Sequence, residues 1–305
     1  MSRYCLRTPT VEAVVDLGRG AEVASLTDRA TGIDVLMRTP WAVSSDAVRP
    51  VPQTSPRDSE EAWMDSYSGG WQVLVPHAGP STTVDGVERR YHGQASALEW
   101  ELTRVQDSRI EAHVRLTELP FHIQRSISVN GDVVSVEDSL HNMSDQAHRY
   151  VYQHHPAFGA PFLGPMCEVE LPGDDFFLIS TEPGGPGGAN PRHIPALDGS
   201  RLFGAVAVQG AGRARVSNPL LGLAVELSWD DPDLRYAWIW RESGASVDSR
   251  WAGGGYVYAI EPSTTPPGAD NLRMLTLEPG GRRRFTVAVG LTRFIPTNAT
   301  EKDKQ

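Results

Sequence analysis

Three polar segments hold the side chains that could do chemistry. The first, Tyr152-Gln153-His154-His155-Pro156-Ala157-Phe158-Gly159, carries adjacent histidines, each able to exchange a proton near neutral pH. The second is Tyr91-His92-Gly93, followed by Trp100. The third, Ala259-Ile260-Glu261-Pro262-Ser263-Thr264-Thr265-Pro266, leads to Gly268-Ala269-Asp270-Asn271. There a carboxylate ends an apolar run, where ionisation is costly unless hydrogen bonds or a function compensate, so Glu261 is a candidate general base. Each segment alone has a plainer reading: one core and one exposed histidine, a solvated loop histidine, and a strand-end glutamate at the exit to solvent. The tryptophans add context. Trp71 lies in Ser68-Gly69-Gly70-Trp71-Gln72, and Trp238, Trp240 and Trp251 precede Glu261. Indoles suit the C–H face of a sugar ring. Trp238 and Trp240 share one face by period two, which on its own favours core packing.

The elements that must position these groups read as strands. Phe121, Ile123, Arg125, Ile127 and Val129 alternate with His122, Gln124, Ser126 and Ser128, and the run ends at Asn130-Gly131, a hairpin signal of type I′. Leu221 to Trp229 and Phe285 to Leu291 alternate likewise, and Tyr256 to Ile260 reads as a strand buried on both faces. With 29 glycines and 23 prolines spread along 305 residues, long helices are excluded. Ser59 to Met64 offers one short turn, and Arg57 to Glu61 is charged enough for a solvated loop. The Gly/Pro-rich stretch from Glu182 to Pro191 reads as a surface loop. The pattern predicts an all-β fold, a large antiparallel β-sandwich in one domain over residues 1–297, with a polar tail at 298–305.

Composition narrows the chemistry. The 28 basic and 38 acidic residues leave a charge of −10, which disfavours nucleic acid or an anionic membrane as partner. Hydrophobic residues at 40% support a true core. Two cysteines, Cys5 and Cys167, are too few for a disulfide scaffold or a zinc ribbon. The N-terminus shows no basic start followed by an apolar run, and no window approaches a spanning helix, so a cytoplasmic location is expected. No phosphate-binding loop, G-x-S-x-G or H-E-x-x-H motif occurs. Adjacent histidines on a strand point to opposite faces, so no metal is expected at His154 and His155.

Together the segments resemble the aldose 1-epimerase (galactose mutarotase-like) family. Val15 to Leu26 is similar to its first hairpin, His92-Gly93 to its His-Gly motif, and Ile123 to Asn142 to a strand pair ending in Asn. His155-Pro156-Ala157-Phe158 is similar to its His-x-x-Phe segment, and Ile260-Glu261-Pro262 to its Glu-Pro or Glu-Thr segment. The likeness spans nearly the whole chain, and its specificity lies in the order of short motifs. It implies a β-supersandwich that interconverts the anomers of a free or modified aldose without a cofactor. It further implies Glu261 as the base on the anomeric hydroxyl, His155 as the acid on the ring oxygen, and His92 as a donor near that oxygen. Between the two histidines, the Pro-x-Phe continuation selects His155; a contribution from His154 stays open. A carboxylate at Glu261 would then favour imidazolium at His155.

One departure concerns specificity. Galactose-type members carry Pro-x-x-Asn-Arg, whereas Pro76-His77-Ala78-Gly79-Pro80 has no Arg. Gln72 and His77 become candidates for the lost contacts, with Trp71 and Trp238 as stacking candidates. Arg89-Arg90 could attract a phosphorylated or sulfonated sugar, although a solvated turn after Asp85-Gly86 is the favoured reading. The expected partner is a small sugar, bound by a monomer or homodimer. Two alternatives remain. One is a non-catalytic carbohydrate-binding protein on the same fold. The other is a glycosidase or lyase, which would need a second acid such as Asp248 or Asp270.

Overall fold

The computed structural model describes residues 2–39, 55–182, 189–246, 255–268 and 273–296. Trp251, Asp248, Asp270, the tail at 298–305 and most of the Gly/Pro-rich loop therefore lie outside the described residues. Two large antiparallel sheets pack around one hydrophobic core, as the alternating patterns predict. The first, ten-stranded sheet runs in the order Arg3–Arg7, Val11–Asp16, Glu22–Asp28, Trp71–Leu74, Gln153–Gly159, Tyr256–Ser263, Tyr236–Ser243, Ser200–Ala207 and Phe176–Glu182, with Ile33–Asp34 on the third strand. The second, eight-stranded sheet includes Gly212–Asn218, Leu223–Trp229, Arg282–Arg293, Val133–Asn142, Phe121–Asn130 and Arg109–Arg115 as neighbours in that order. No helix among the described residues is long and apolar enough to cross a membrane.

Periodicity sets the faces. Phe121, Ile123, Arg125, Ile127 and Val129 all turn inward, and Phe285, Val287, Val289 and Leu291 do so from Arg282–Arg293. The charge among these inward residues is matched: Arg125 holds Asp138 by two bonds of 2.7 Å and donates to the Gly20 and Ala21 carbonyls. The hairpin turns one residue later than expected. Asn130 pairs with Val133, leaving Gly131 and Asp132 as the loop. Only Gly131 of the two has positive φ, +57°, which is the type II′ requirement rather than the type I′ one. Asp85-Gly86 does meet the type I′ requirement, with φ +52° and +76° between Thr82–Val84 and Val87–Arg89.

The helix expectation was too small. Ser59–Ser66 forms an α-helix after a 3₁₀ turn at Pro56–Asp58, with Glu60 and Glu61 at the favourable N-terminal end of its dipole. The helix sits on the outer face of the ten-stranded sheet. There Trp63 and Tyr67 pack with Met37, Ala157, Val257 and Ala259 in a cluster separate from the main core. That outer face carries the site.

Candidate active site

Alternation along Gln153–Gly159 decides what each histidine does. The strand is buried throughout, between Trp71–Leu74 and Tyr256–Ser263. His154 faces the inter-sheet core, where Trp71 Nε1–H donates to its Nδ1 at 2.9 Å. A neutral ring then carries its proton on Nε2, 3.0 Å from Tyr152 Oη, and Tyr152 donates on to Asp138 at 3.1 Å. His154 is thus a satisfied core histidine, and Trp71 is a core tryptophan rather than a stacking surface for a ligand.

His155 points to the other face. The pairs Gln153–Ser263 and Ala157–Ala259 set it opposite Glu261, and its Nε2 lies 3.5 Å from the Glu261 carboxylate. Gln153, on the same face as His155, donates its amide to the other Glu261 oxygen. Burial pushes Glu261 well above the usual carboxylate range, against the opposing effect of the Gln153 bond. Burial also pushes His155 down to about 4. Desolvation of the two groups thus opposes the ion pair expected from the sequence and favours their uncharged forms.

His92 enters through a strained turn. Its φ is +56°, followed by Gly93 at +72°. A Cβ on Gly93 would meet the Val75 and His77 carbonyl oxygens at 2.6 and 2.7 Å, so glycine is required. Gly79 grips His92 twice: its carbonyl accepts from the His92 backbone N–H at 3.1 Å, and its N–H donates to Nδ1 at 3.2 Å. Burial holds the imidazole well below its ordinary pKa, so the ring is neutral with its proton on Nε2. Its ring centre lies 5.7 Å from that of His155.

Glu261, His155 and His92 line one cleft of about 430 Å³, within the roughly 300–1,000 Å³ typical of small-ligand sites. Aromatic rings wall it. Trp63 stacks on Tyr67 at 4.7 Å and lies 4.5 Å from His92, while Tyr67 and Trp240 stand 6.0 and 5.8 Å from His155. Trp238 lines it too, so the tryptophan pair both packs in the buried clusters of the outer face and borders the cleft. Tyr91, from the second polar segment, lines it as well, whereas Trp63 and Tyr67 have no place among the sequence candidates. The four-residue spacing of Trp63 and Tyr67 was the available signal.

Other candidates lie elsewhere. Gln72 donates to Glu22 at 2.8 Å in a buried cluster with Ser68 and Arg19, and it is absent from the described cleft lining. His77 donates Nε2–H to the Pro80 carbonyl at 2.7 Å and borders a neighbouring chamber. Arg89 and Arg90 are buried, with Arg90 on the Glu118 carboxylate at 2.5 Å and Arg89 on the Glu118 carbonyl. They form neither a solvated turn nor part of the described cleft lining. The acidic and basic side chains lining it are Glu60, Glu242, Glu261 and Arg201. Among the described residues, no group of three or more His, Cys, Asp or Glu side chains is placed to hold a metal ion.

The comparisons agree with this architecture. A family model described as a domain of unknown function, DUF4432, matches residues 11–291. No curated protein matches the sequence significantly. The Slr1438 protein from Synechocystis sp. PCC 6803 is similar in structure, with a TM-score of 0.68, 19% identity and coverage of 96% of each chain. A galactose mutarotase related enzyme from Lactobacillus acidophilus matches at 0.66 and 15% identity, over 96% of this chain and 98% of its own. A galactose mutarotase-like protein from Clostridium acetobutylicum matches at 0.63 and 15% identity, over 95% of each. The all-β sandwich predicted from the sequence is thus the mutarotase-like fold.

Proposed function

Because this chain belongs to the DUF4432 family, with a mutarotase-like fold, we propose that it is an aldose 1-epimerase acting on a free or modified aldose. The observation that carries the reading is the His155–Glu261 pair, 3.5 Å apart in an aromatic cleft. Anomer exchange needs one group to take the O1 proton while another protonates the ring oxygen, so a pair holding one proton is matched to the task. Hydroxyl groups of a bound sugar can solvate the Glu261 carboxylate. Transfer of its proton to His155 then creates the carboxylate and imidazolium with no net uptake from water.

In that state Glu261 removes the O1 proton, and His155 protonates the ring oxygen as the bond from C1 to that oxygen breaks. His92, fixed as an Nε2–H donor by Gly79, is suited to stabilise charge on the ring oxygen. The open-chain aldehyde rotates about C1–C2, and the reverse transfers close the other anomer. Every proton returns to its origin. Trp63, Tyr67 and Trp240 supply apolar faces for the ring.

The test is polarimetry and NMR exchange on freshly dissolved pure anomers of several aldoses. Accelerated exchange without bond cleavage is expected. His155→Ala and Glu261→Gln should each lower kcat by about 10²–10⁴ with KM changed far less. Unchanged rates in either variant would remove the acid/base assignment.

A further inference from the structure

Gln153 does little for the fold. It is fully buried, and its neighbour across the ladder is Leu74, which packs with Val151 and Trp238 in an apolar cluster of the outer face. An amide in such a setting costs stability unless both of its ends are bonded. The Gln153 amide oxygen is buried with no hydrogen-bond partner among the described residues. The Nε2 end makes one bond, to Glu261 Oε2. That bond is the only counterpart to the cost among the described side-chain contacts of Gln153, and it points to the site rather than to folding. A methionine would fill the same space and leave no polar atom unpaired.

The contact divides the carboxyl group of Glu261. Oε2 faces Gln153, and Oε1 faces His155 Nε2 at 3.5 Å. His155, His92, Tyr67 and Tyr91 line the cleft around it. Burial holds both imidazoles toward their neutral forms and raises both phenols, so all four favour the uncharged state near neutral pH. Glu60 and Glu242 are the other acids of the lining, and Arg201, which lines it as well, stands opposite Glu242 in the ladder. Desolvation therefore acts on Glu261 against one described counterweight, the Gln153 N–H.

We propose that Gln153 is a positioning residue for the base: its Nε2–H holds Oε2 and stabilises the carboxylate form, which leaves Oε1, beside His155, as the oxygen that takes the O1 proton. The task of Oε1 rests on the epimerase reading, whereas the hold on Glu261 is measurable without it. One hydrogen bond to a charged group sets the size of the effect. Its loss should raise the midpoint of Glu261 ionisation by about 1–2 pH units.

The experiment follows Glu261 directly. Glutamate labelled with carbon-13 at the side-chain carboxyl is incorporated, and the Glu261 resonance is assigned by its loss in Glu261→Gln. It is then titrated by NMR from about pH 5 to 10 in wild type, Gln153→Met and Gln153→Asn. Met removes the amide at equal length, and Asn draws it back by one methylene. Both should raise the midpoint, Met by the full amount. On an aldose that wild type exchanges, the acidic limb of kcat/KM should move up equally, leaving the Met variant about 10–100-fold slower below the limb and recovering as pH rises. A merely structural role would lower kcat/KM at every pH and leave the limb in place. An unmoved or lowered midpoint, or failure of both variants to fold, overturns the role of Gln153 and leaves the epimerase standing. A raised midpoint in a protein that exchanges no aldose does the reverse.

Discussion

The protonation state of His155 can be read from stability rather than from activity. Burial lowers His155 from 6.5 to about 4, and the side chain is 5% exposed, so solvent screening takes little from the effect. Between those two values the unfolded chain binds a proton at this position that the folded chain refuses. Stability therefore rises with pH across the window, is complete above about 6.5, and is lost as pH falls through 4. At about 1.4 kcal/mol per pKa unit, the full effect is about 3 kcal/mol. Other buried histidines, His92 and His154, contribute the same sign, so the His155 share must be isolated by difference. Urea unfolding of wild type and His155→Gln at pH 7.5, 6, 5 and 4 supplies it. Wild type should lose about 3 kcal/mol more than the variant between the first and last points. If the difference runs the opposite way, His155 is an imidazolium paired with a carboxylate in the folded protein. A difference of zero would equally refute the desolvation argument.

Three further outcomes follow from the geometry. Gly93→Ala should destabilise by more than about 1 kcal/mol and lower kcat, because the new Cβ collides with two carbonyl oxygens and shifts His92; thermal melts and exchange rates read both. His154→Phe should cost about 1–3 kcal/mol in chemical unfolding by stranding Trp71 Nε1, while Tyr152 keeps its bond to Asp138 and kcat of the folded protein stays within a few fold. Arg125→Met should cost about 3–5 kcal/mol in urea unfolding, since it leaves Asp138 buried without its cation, and the double variant Arg125→Met with Asp138→Leu should recover much of that loss.

The strands and the opposed faces of His154 and His155 were legible in sequence for the same reason. Period-two alternation is local, and it reports correctly that Arg125 faces inward and that His154 and His155 diverge. What a side chain meets on its face is not local. Gln72 neighbours His155 in the ladder, yet its amide goes to Glu22, a partner fifty positions away that no pattern near Gln72 indicates. Trp71 and Trp238 look alike as isolated indoles, and only sheet order sends one to the core and the other to the cleft. The Ser59–Ser66 helix was read as one short turn because it has a weak apolar stripe and owes its place to Trp63 and Tyr67 packing on the sheet. The protonation of the pair escaped because sequence carries no measure of desolvation.

The core chain of bonds from Arg125 through Asp138, Tyr152 and His154 to Trp71 has a consequence for how the cleft is kept intact. A strand that slips by one residue exchanges its two faces. For Gln153–Gly159 such a slip would put His155 among apolar side chains and His154 beside Glu261, a nearly isosteric swap that hydrophobicity alone would scarcely penalise. The indole and phenol that grip His154 recognise a ring with one acceptor and one donor nitrogen at one position only. That buried network acts as a key cut for a single register, and the placement of His155 opposite Glu261 on the outer face is maintained by polar matching on the inner one.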